Sequence, residues 1–204
     1  MYKKILLVIS ILQITSTIFS QDKNPLYLVV KDGKYGYINT KGEVVIEPFF
    51  DEAKEFEEGL AVVTNYQLSS GDTGSKSAWK YGYINKSGKI VVNMLFDEAL
   101  DFKNGFARIM TNGKWGAINK NGEIKVNPIY DDILDFSEGM ALVWNGSLFG
   151  YVDSEGKELV PIQYNGGTNF KEGYAGVKIK NKWGFIDKSG KVVITEQFDK
   201  VSEF

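Results

Sequence analysis

The chain has 204 residues and neither cysteine nor histidine, which excludes disulfides, thiolate or imidazole metal sites and histidine-based catalysis. Its 25% charged and 43% hydrophobic content is that of a folded chain. A net charge of −2 with no basic block gives no electrostatic case for nucleic acid or an anionic membrane surface.

At the N-terminus, Lys3 and Lys4 precede an apolar stretch from Ile5 to Phe19 that is too short and too polar for a confident membrane span. A charged start, an apolar middle and the small residue Ser20 predict a secretory signal over residues 1–20, cut before Gln21. The expectation is an exported protein, in the periplasm, at the cell surface or secreted, with no stable membrane span after cleavage. Loss of Lys3 and Lys4 takes the net charge from −2 to −4. Without cysteine, a lipid-modified anchor is excluded, and export adds no disulfide.

After a short polar lead over 21–25, an aromatic followed by glycine recurs at Tyr35-Gly36, Tyr81-Gly82, Trp115-Gly116, Phe149-Gly150 and Trp183-Gly184. The glycines lie 46, 34, 34 and 34 residues apart. Each is followed at fixed offsets by a second glycine (Gly42, Gly88, Gly122, Gly156, Gly190), an aromatic (Phe50, Phe96, Tyr130, Tyr164, Phe198) and a phenylalanine (Phe56, Phe102, Phe136, Phe170, Phe204). Gly59, Gly105, Gly139 and Gly173 precede Ala61, Ala107, Ala141 and Ala175 by two residues. Five whole units result, over 26–58, 59–104, 105–138, 139–172 and 173–204. The extra length of the second is a polar insertion around Gln67 to Lys76.

One unit reads as three short strands. The first is Gly-x-Ala-x-Val in type, as in Leu60 to Val63, and the second aromatic-Gly-aromatic-Ile, as in Trp183 to Ile186. The third is β-branched, as in Val44-Val45-Ile46. Asp32-Gly33, Asn112-Gly113 and Asn145-Gly146 favour primed hairpin turns between the first two strands. An Asn or Asp three residues before glycine, as in Asn39-Thr40-Lys41-Gly42, predicts a type I turn with a left-handed residue before the third. After it, Asp51, Asp97, Asp131, Asn165 or Asp199 opens a polar stretch that reads as one helical or tight turn capped by that side chain.

Three-stranded units cannot bury their apolar faces alone, so the expected fold is all-β: a tandem array of five antiparallel meanders, open and solenoid-like. The alternative is a closed five-bladed, propeller-like ring. Gly36, Gly82, Gly116, Gly150 and Gly184 are read as structural, letting stacked units approach closely at glycine and alanine.

Lys114-Trp115-Gly116, Lys182-Trp183-Gly184-Phe185-Ile186-Asp187-Lys188-Ser189-Gly190-Lys191 and Glu138-Gly139-Met140-Ala141 resemble the WG (KWG) repeat family of bacterial proteins, over essentially all of residues 26–204. Tryptophan stands in units three and five, Tyr or Phe elsewhere, which keeps an aromatic wedge. The resemblance implies a β-rich tandem repeat of exported or surface proteins used for interaction, and it brings no catalytic residues.

Gly71-Asp72-Thr73-Gly74-Ser75-Lys76-Ser77 has the wrong spacing and context for a phosphate loop and reads as a loop. Asp51 and Glu52, Asp97 and Glu98, and Asp131 and Asp132 recur with the repeat, as capping requires and a single active site does not. No cofactor, metal or catalytic residue is implied. Trp79 and Trp144 break their columns, and both, with Tyr66, fall at the hairpin edge that carries the insertion. These three are the candidate binding residues. The expected function is a non-catalytic exported binding or scaffold module, its partner a protein or glycan of the cell envelope. A carbohydrate-binding module is the alternative, and a polysaccharide-acting enzyme with two carboxylates the further one.

Overall fold

The computed structural model describes residues 24–67 and 78–202. The expected signal segment, the 71–77 loop and Phe204 lie outside the described residues. The described chain is all β, in five separate antiparallel sheets. The first sheet is β1 (Tyr27–Lys31), β2 (Lys34–Ile38) and β3 (Val44–Phe50). The second is β4 (Glu52–Ala53), β5 (Leu60–Gln67), β6 (Ala78–Asn85) and β7 (Ile90–Phe96). The third is β8 (Glu98–Ala99), β9 (Phe106–Thr111), β10 (Lys114–Asn119) and β11 (Ile124–Tyr130). The fourth is β12 (Asp132–Ile133), β13 (Met140–Asn145), β14 (Leu148–Asp153) and β15 (Glu158–Tyr164). The fifth is β16 (Gly166–Gly167), β17 (Tyr174–Ile179), β18 (Lys182–Asp187) and β19 (Val192–Phe198). Strands are joined in sequence order within each sheet, and none of the first sheet pairs with any of the fifth. The array is open, not a closed ring.

Turn chemistry sets the register. Asn39 Oδ1 accepts from the N–H groups of Lys41 and Glu43, and Gly42 follows at a φ of 79°, closing the expected type I turn with a left-handed residue. Asp32 and Gly33, like Asn112 and Gly113, both take positive φ, as a primed two-residue turn requires. In the fourth sheet the turn keeps the same place in the repeat, so it is not the expected Asn145-Gly146: Asn145 is the last paired residue, opposite Leu148, and Gly146 opens the bend.

The stretch after the third strand is not the expected helical or tight turn. It runs antiparallel to the first strand of the next unit, with Asp51 N–H on Thr64 O at 3.1 Å and Lys54 N–H on Val62 O at 3.0 Å. Glu57 and Leu60 then exchange both backbone hydrogen bonds around Glu58 and Gly59. The tail of one unit is thus the first strand of the following sheet. The reason is backbone satisfaction: the tail's N–H groups find the free edge of the next unit before they can close a turn of their own.

The aromatic-Gly column also works differently from expectation. β2 pairs with β3 at Tyr35–Phe50 and Tyr37–Ile46, so β3 carries two extra residues over Gly36. This bulge brings the backbone of the third strand directly over the glycine. A Cβ on Gly116 would lie 2.3 Å from Val126 O, and one on Gly36 2.5 Å from Ile46 O. The close approach at this column is therefore within a unit; between units it falls to the alanines and to the second glycine of each repeat, where a Cβ on Gly156 would lie 2.1 Å from Lys125 O and one on Gly122 2.9 Å from the Val92 side chain.

The sheets stack face on face. Tyr37, Ile46 and Phe50 of the first pack on Ala61, Val63 and Ile84 of the second. Leu60, Val62, Tyr83 and Val92 of the second pack on Ala107, Ile109 and Ile118 of the third. Ala117, Val126 and Tyr130 continue onto Ala141, Val143 and Val152, and Leu142, Tyr151 and Val160 onto Ala175, Val177 and Ile186. Adjacent residues such as Val62 and Val63 serve opposite interfaces, so each inner sheet is apolar on both faces. Each fully buried Val, Leu or Ile contributes about 1.5–3 kcal/mol to this stack.

Candidate functional site

Two extra rungs distinguish the hairpin of the second sheet. Asn65 pairs with Lys80 at the level where Thr111 meets Lys114 in the third sheet and the chain turns. β5 and β6 instead continue through Tyr66–Trp79 and Gln67–Ala78. Tyr66 and Trp79 meet edge to face, centroids 5.5 Å apart, and are 47% and 43% exposed. Cross-strand aromatic pairs stabilise a hairpin by roughly 0.2–1 kcal/mol, so the rungs are held by the rings they display.

The base of this projection is fixed from three directions. Asp51 Oδ2 accepts the Tyr66 N–H at 2.8 Å, Gln67 Nε2 donates to Met94 O at 3.0 Å, and the buried Thr64 hydroxyl donates to Lys80 O at 2.7 Å. Beneath it a cavity of about 60 Å³ is lined by Glu52, Lys54, Thr64 and Tyr81. Burial, reinforced by Glu52 and Glu98, raises the Tyr81 phenol above its ordinary value.

Trp144 does not join this pair. It lies in the fourth sheet, half-buried, tilted against Phe149 at 5.4 Å between centroids. The third sheet stands between, and sheets stack about 10 Å apart, so the three rings form no single patch.

The repeated carboxylates are clips between neighbouring units. Lys34 and Lys80 donate to Asp51 and Asp97, and Lys114 and Lys182 donate to Asp131 at 2.6 Å and Asp199 at 2.5 Å. The other oxygen of Asp97 accepts the Asn112 N–H at 2.7 Å in the next sheet, and that of Asp131 accepts from Gly146. The Lys80 hydrogen bond chiefly holds the Asp97 carboxyl below its ordinary value, against the opposing effect of desolvation. Capping was the expected role, but the capped N–H groups belong to the next hairpin and not to a helix.

Sequence reasoning missed a further column. The buried hydroxyls of Tyr37, Tyr83 and Tyr151 donate to the carbonyls of Lys54, Leu100 and Thr168 at 2.6, 2.7 and 2.8 Å, each seventeen residues on. Burial pushes all three phenols well above their ordinary value. The signal was present as Tyr at the same offset after the glycine. In the third unit Ala117 stands there instead, Phe106 stacks on Phe136 at 4.2 Å, and Arg108, paired opposite Ala117, donates to Ile133 O at 3.0 Å. Ring and hydrogen bond are both supplied by the neighbouring strand.

The WG containing repeat model matches the chain over 35–66, 81–115, 115–146, 149–183 and 183–204. No curated protein matches the chain. A solved structure of a protein of unknown function from Bacteroides caccae is similar at 14% identity, covering 85% of this chain and 78% of that one with a TM-score of 0.31.

Proposed function

Because the chain belongs to the WG repeat family, we propose that it is a non-catalytic, exported binding or scaffold module that contacts a protein or envelope component through the projecting hairpin of its second sheet. The observation that carries this reading is the Tyr66–Trp79 pair: two large rings held in one geometry, half exposed, past the level at which the other hairpins turn. Rigid exposed aromatics lose little entropy on binding and bring large contact area, which is why they recur as anchors of interfaces. The carboxylates support the same reading, since Asp51, Asp97 and Asp131 are each engaged by a lysine and a backbone N–H. A general acid or base needs an oxygen free to meet substrate.

A photo-cross-linking residue at position 66, introduced in the native cell, tests this. Adducts are expected at 66 and lost on Trp79→Ala, while the same label at Asn112 gives none. Equal labelling at both positions would sink the proposal. N-terminal sequencing of the exported chain, beginning at Gln21, tests the compartment.

Carbohydrate binding is the second reading, favoured by the exposed indole of Trp79. It is checked by quenching of tryptophan fluorescence with envelope glycans, a signal expected to disappear in Trp79→Ala and persist in Trp144→Ala.

A further inference from the structure

Asparagine is followed by glycine five times, at Asn104-Gly105, Asn112-Gly113, Asn121-Gly122, Asn145-Gly146 and Asn165-Gly166. This dipeptide can react with itself. Glycine has no side chain to hinder its amide nitrogen, which can reach the asparagine Cγ. A C–N bond forms there, the Cγ–Nδ2 bond breaks, and ammonia departs to leave a succinimide. Water then opens the ring. Cleavage between the nitrogen and Cγ gives aspartate, whereas cleavage on the main-chain carbonyl side gives isoaspartate, with the chain rerouted through Cγ and the α-carboxylate set free. Nothing is oxidised or reduced, and water is the only co-reactant.

The step needs a carboxamide free to turn and a glycine nitrogen free to lose its proton and move. In four of the pairs the fold withholds at least one of these. Asn104 Nδ2 donates to Phe136 O at 2.8 Å, and Gly105 N–H donates to Glu58 at 3.0 Å. Asn145 Oδ1 accepts the Asp131 N–H at 3.0 Å, while Gly146 N–H donates to the Asp131 carboxylate. Asn165 Oδ1 accepts the Lys180 N–H at 2.7 Å, and Gly166 is paired with Lys178 in β16. Gly122 N–H closes its own turn on Asn119 O at 2.9 Å. Asn112-Gly113 has neither restraint. Asn112 is exposed, and neither its carboxamide nor the Gly113 N–H has a hydrogen-bond partner among the described residues. The space that a Cβ on Gly113 would face is empty to 4 Å.

We propose that Asn112 is a site of spontaneous deamidation, the one of the five that the folded chain leaves open, and that its isoaspartyl product releases the Asp97 clip between the second and third sheets. The aspartyl product suits the fold: Asp32-Gly33 holds the same place in the first hairpin, with φ of 51° and 75° beside 53° and 73° for Asn112-Gly113. The isoaspartyl product does not. Thr111 and Lys114 pair across a tight primed turn that has no room for another methylene in the chain. The freed α-carboxylate is also attached to the carbon whose N–H Asp97 accepts at 2.7 Å, so two negative groups meet at one donor. Lys80, which grips Asp97, stands opposite Asn65 at the root of the projecting hairpin, so the released clip borders that hairpin.

Peptide mass spectrometry of the folded chain aged in neutral buffer, with isoaspartate told from aspartate by isoaspartyl methyltransferase labelling, tests the site. Asn112 is expected to convert first, and the other pairs to lag about five-fold for each hydrogen bond that must break. In urea all five are expected to convert at similar rates. Glu58→Gly, which frees the Gly105 N–H and suits the left-handed backbone there, should speed Asn104 about five-fold and leave Asn112 unchanged. A lead of Asn112 that persists in urea overturns the proposal, as does conversion of Asn104 or Asn145 as fast as Asn112 in the folded chain. Amide exchange at residue 112 is expected to be slow in the parent and in Asn112→Asp, and fast in the isoaspartyl fraction. Equal protection in all three overturns the release of the clip.

Discussion

Lys34 donates to Asp51 seventeen residues further on, and in the fourth unit both members of that pair change together, to Leu148 and Asn165. Asn165 keeps the half of the job that needs no charge: its Oδ1 still accepts the Lys180 N–H of the next hairpin at 2.7 Å. The lysine of the repeat is thus explained by the acid, and the acid by the neighbouring turn.

Exchanging Lys114 for Leu and Asp131 for Asn in one chain should therefore cost less stability than the two single changes summed. Asp131→Ala should cost more than either, because the Gly146 N–H also loses its acceptor. Urea midpoints of the four variants check the order.

Two glycines of the third unit should respond differently to alanine. Gly116→Ala forces a Cβ into the Val126 carbonyl and is expected to cost about 3 kcal/mol or more. Gly113→Ala meets nothing within 4 Å and suffers only from its φ of 73°, so about 1 kcal/mol is expected. Denaturant titration separates the two.

The Phe106 ring sits against Phe136 in the unit where Ala117 replaces tyrosine. Ala117→Tyr alone should overpack the third interface, by about 1–3 kcal/mol. Adding Phe106→Leu, the residue type of Leu60, should recover most of the loss. A double-mutant cycle showing strict additivity would contradict this compensation.

Acid should loosen the clips between units. Lys80 hydrogen bonding lowers the Asp97 pKa, and for Glu58 the hydrogen bonds of Lys120 and Gly105 overcome the desolvation that by itself would raise it. Groups depressed in the fold contribute stability that is present above their unfolded values of about 4 and lost as pH falls through the folded ones. Thermal midpoints should therefore fall below about pH 4, and less steeply in a chain carrying Lys80→Leu and Asp97→Asn.

Much of this was legible in the sequence because repetition multiplies each local signal. The Asn39 to Gly42 turn, read five times over, placed the second and third strands, and the Ala61 column marked where neighbours touch. The tail strand was not legible: Glu52-Ala53 is two residues long, and its pairing to Val63 and Thr64 depends on an edge supplied by the following unit. The glycine column misled for a similar reason, since a glycine marks a close backbone approach without saying whether it comes from its own sheet or from the next. Trp79 was found by breaking its column and Tyr66 by its place on the same hairpin edge, whereas Trp144 broke its column too and is half-buried on Phe149. Departure from a repeat marks a change of packing as readily as a surface for partners.

The bulge over each glycine has one more effect. β3, β7, β11, β15 and β19 are all edge strands, so the stack turns five unpaired backbone rows to its surroundings. Straight, they would be templates for cross-β growth. Every one is bent, and Pro48, Pro128 and Pro161 remove an amide donor within three of the strands. The irregularity that demands glycine in the second strand thus also keeps a chain so rich in β-structure from adding foreign strands along its flank.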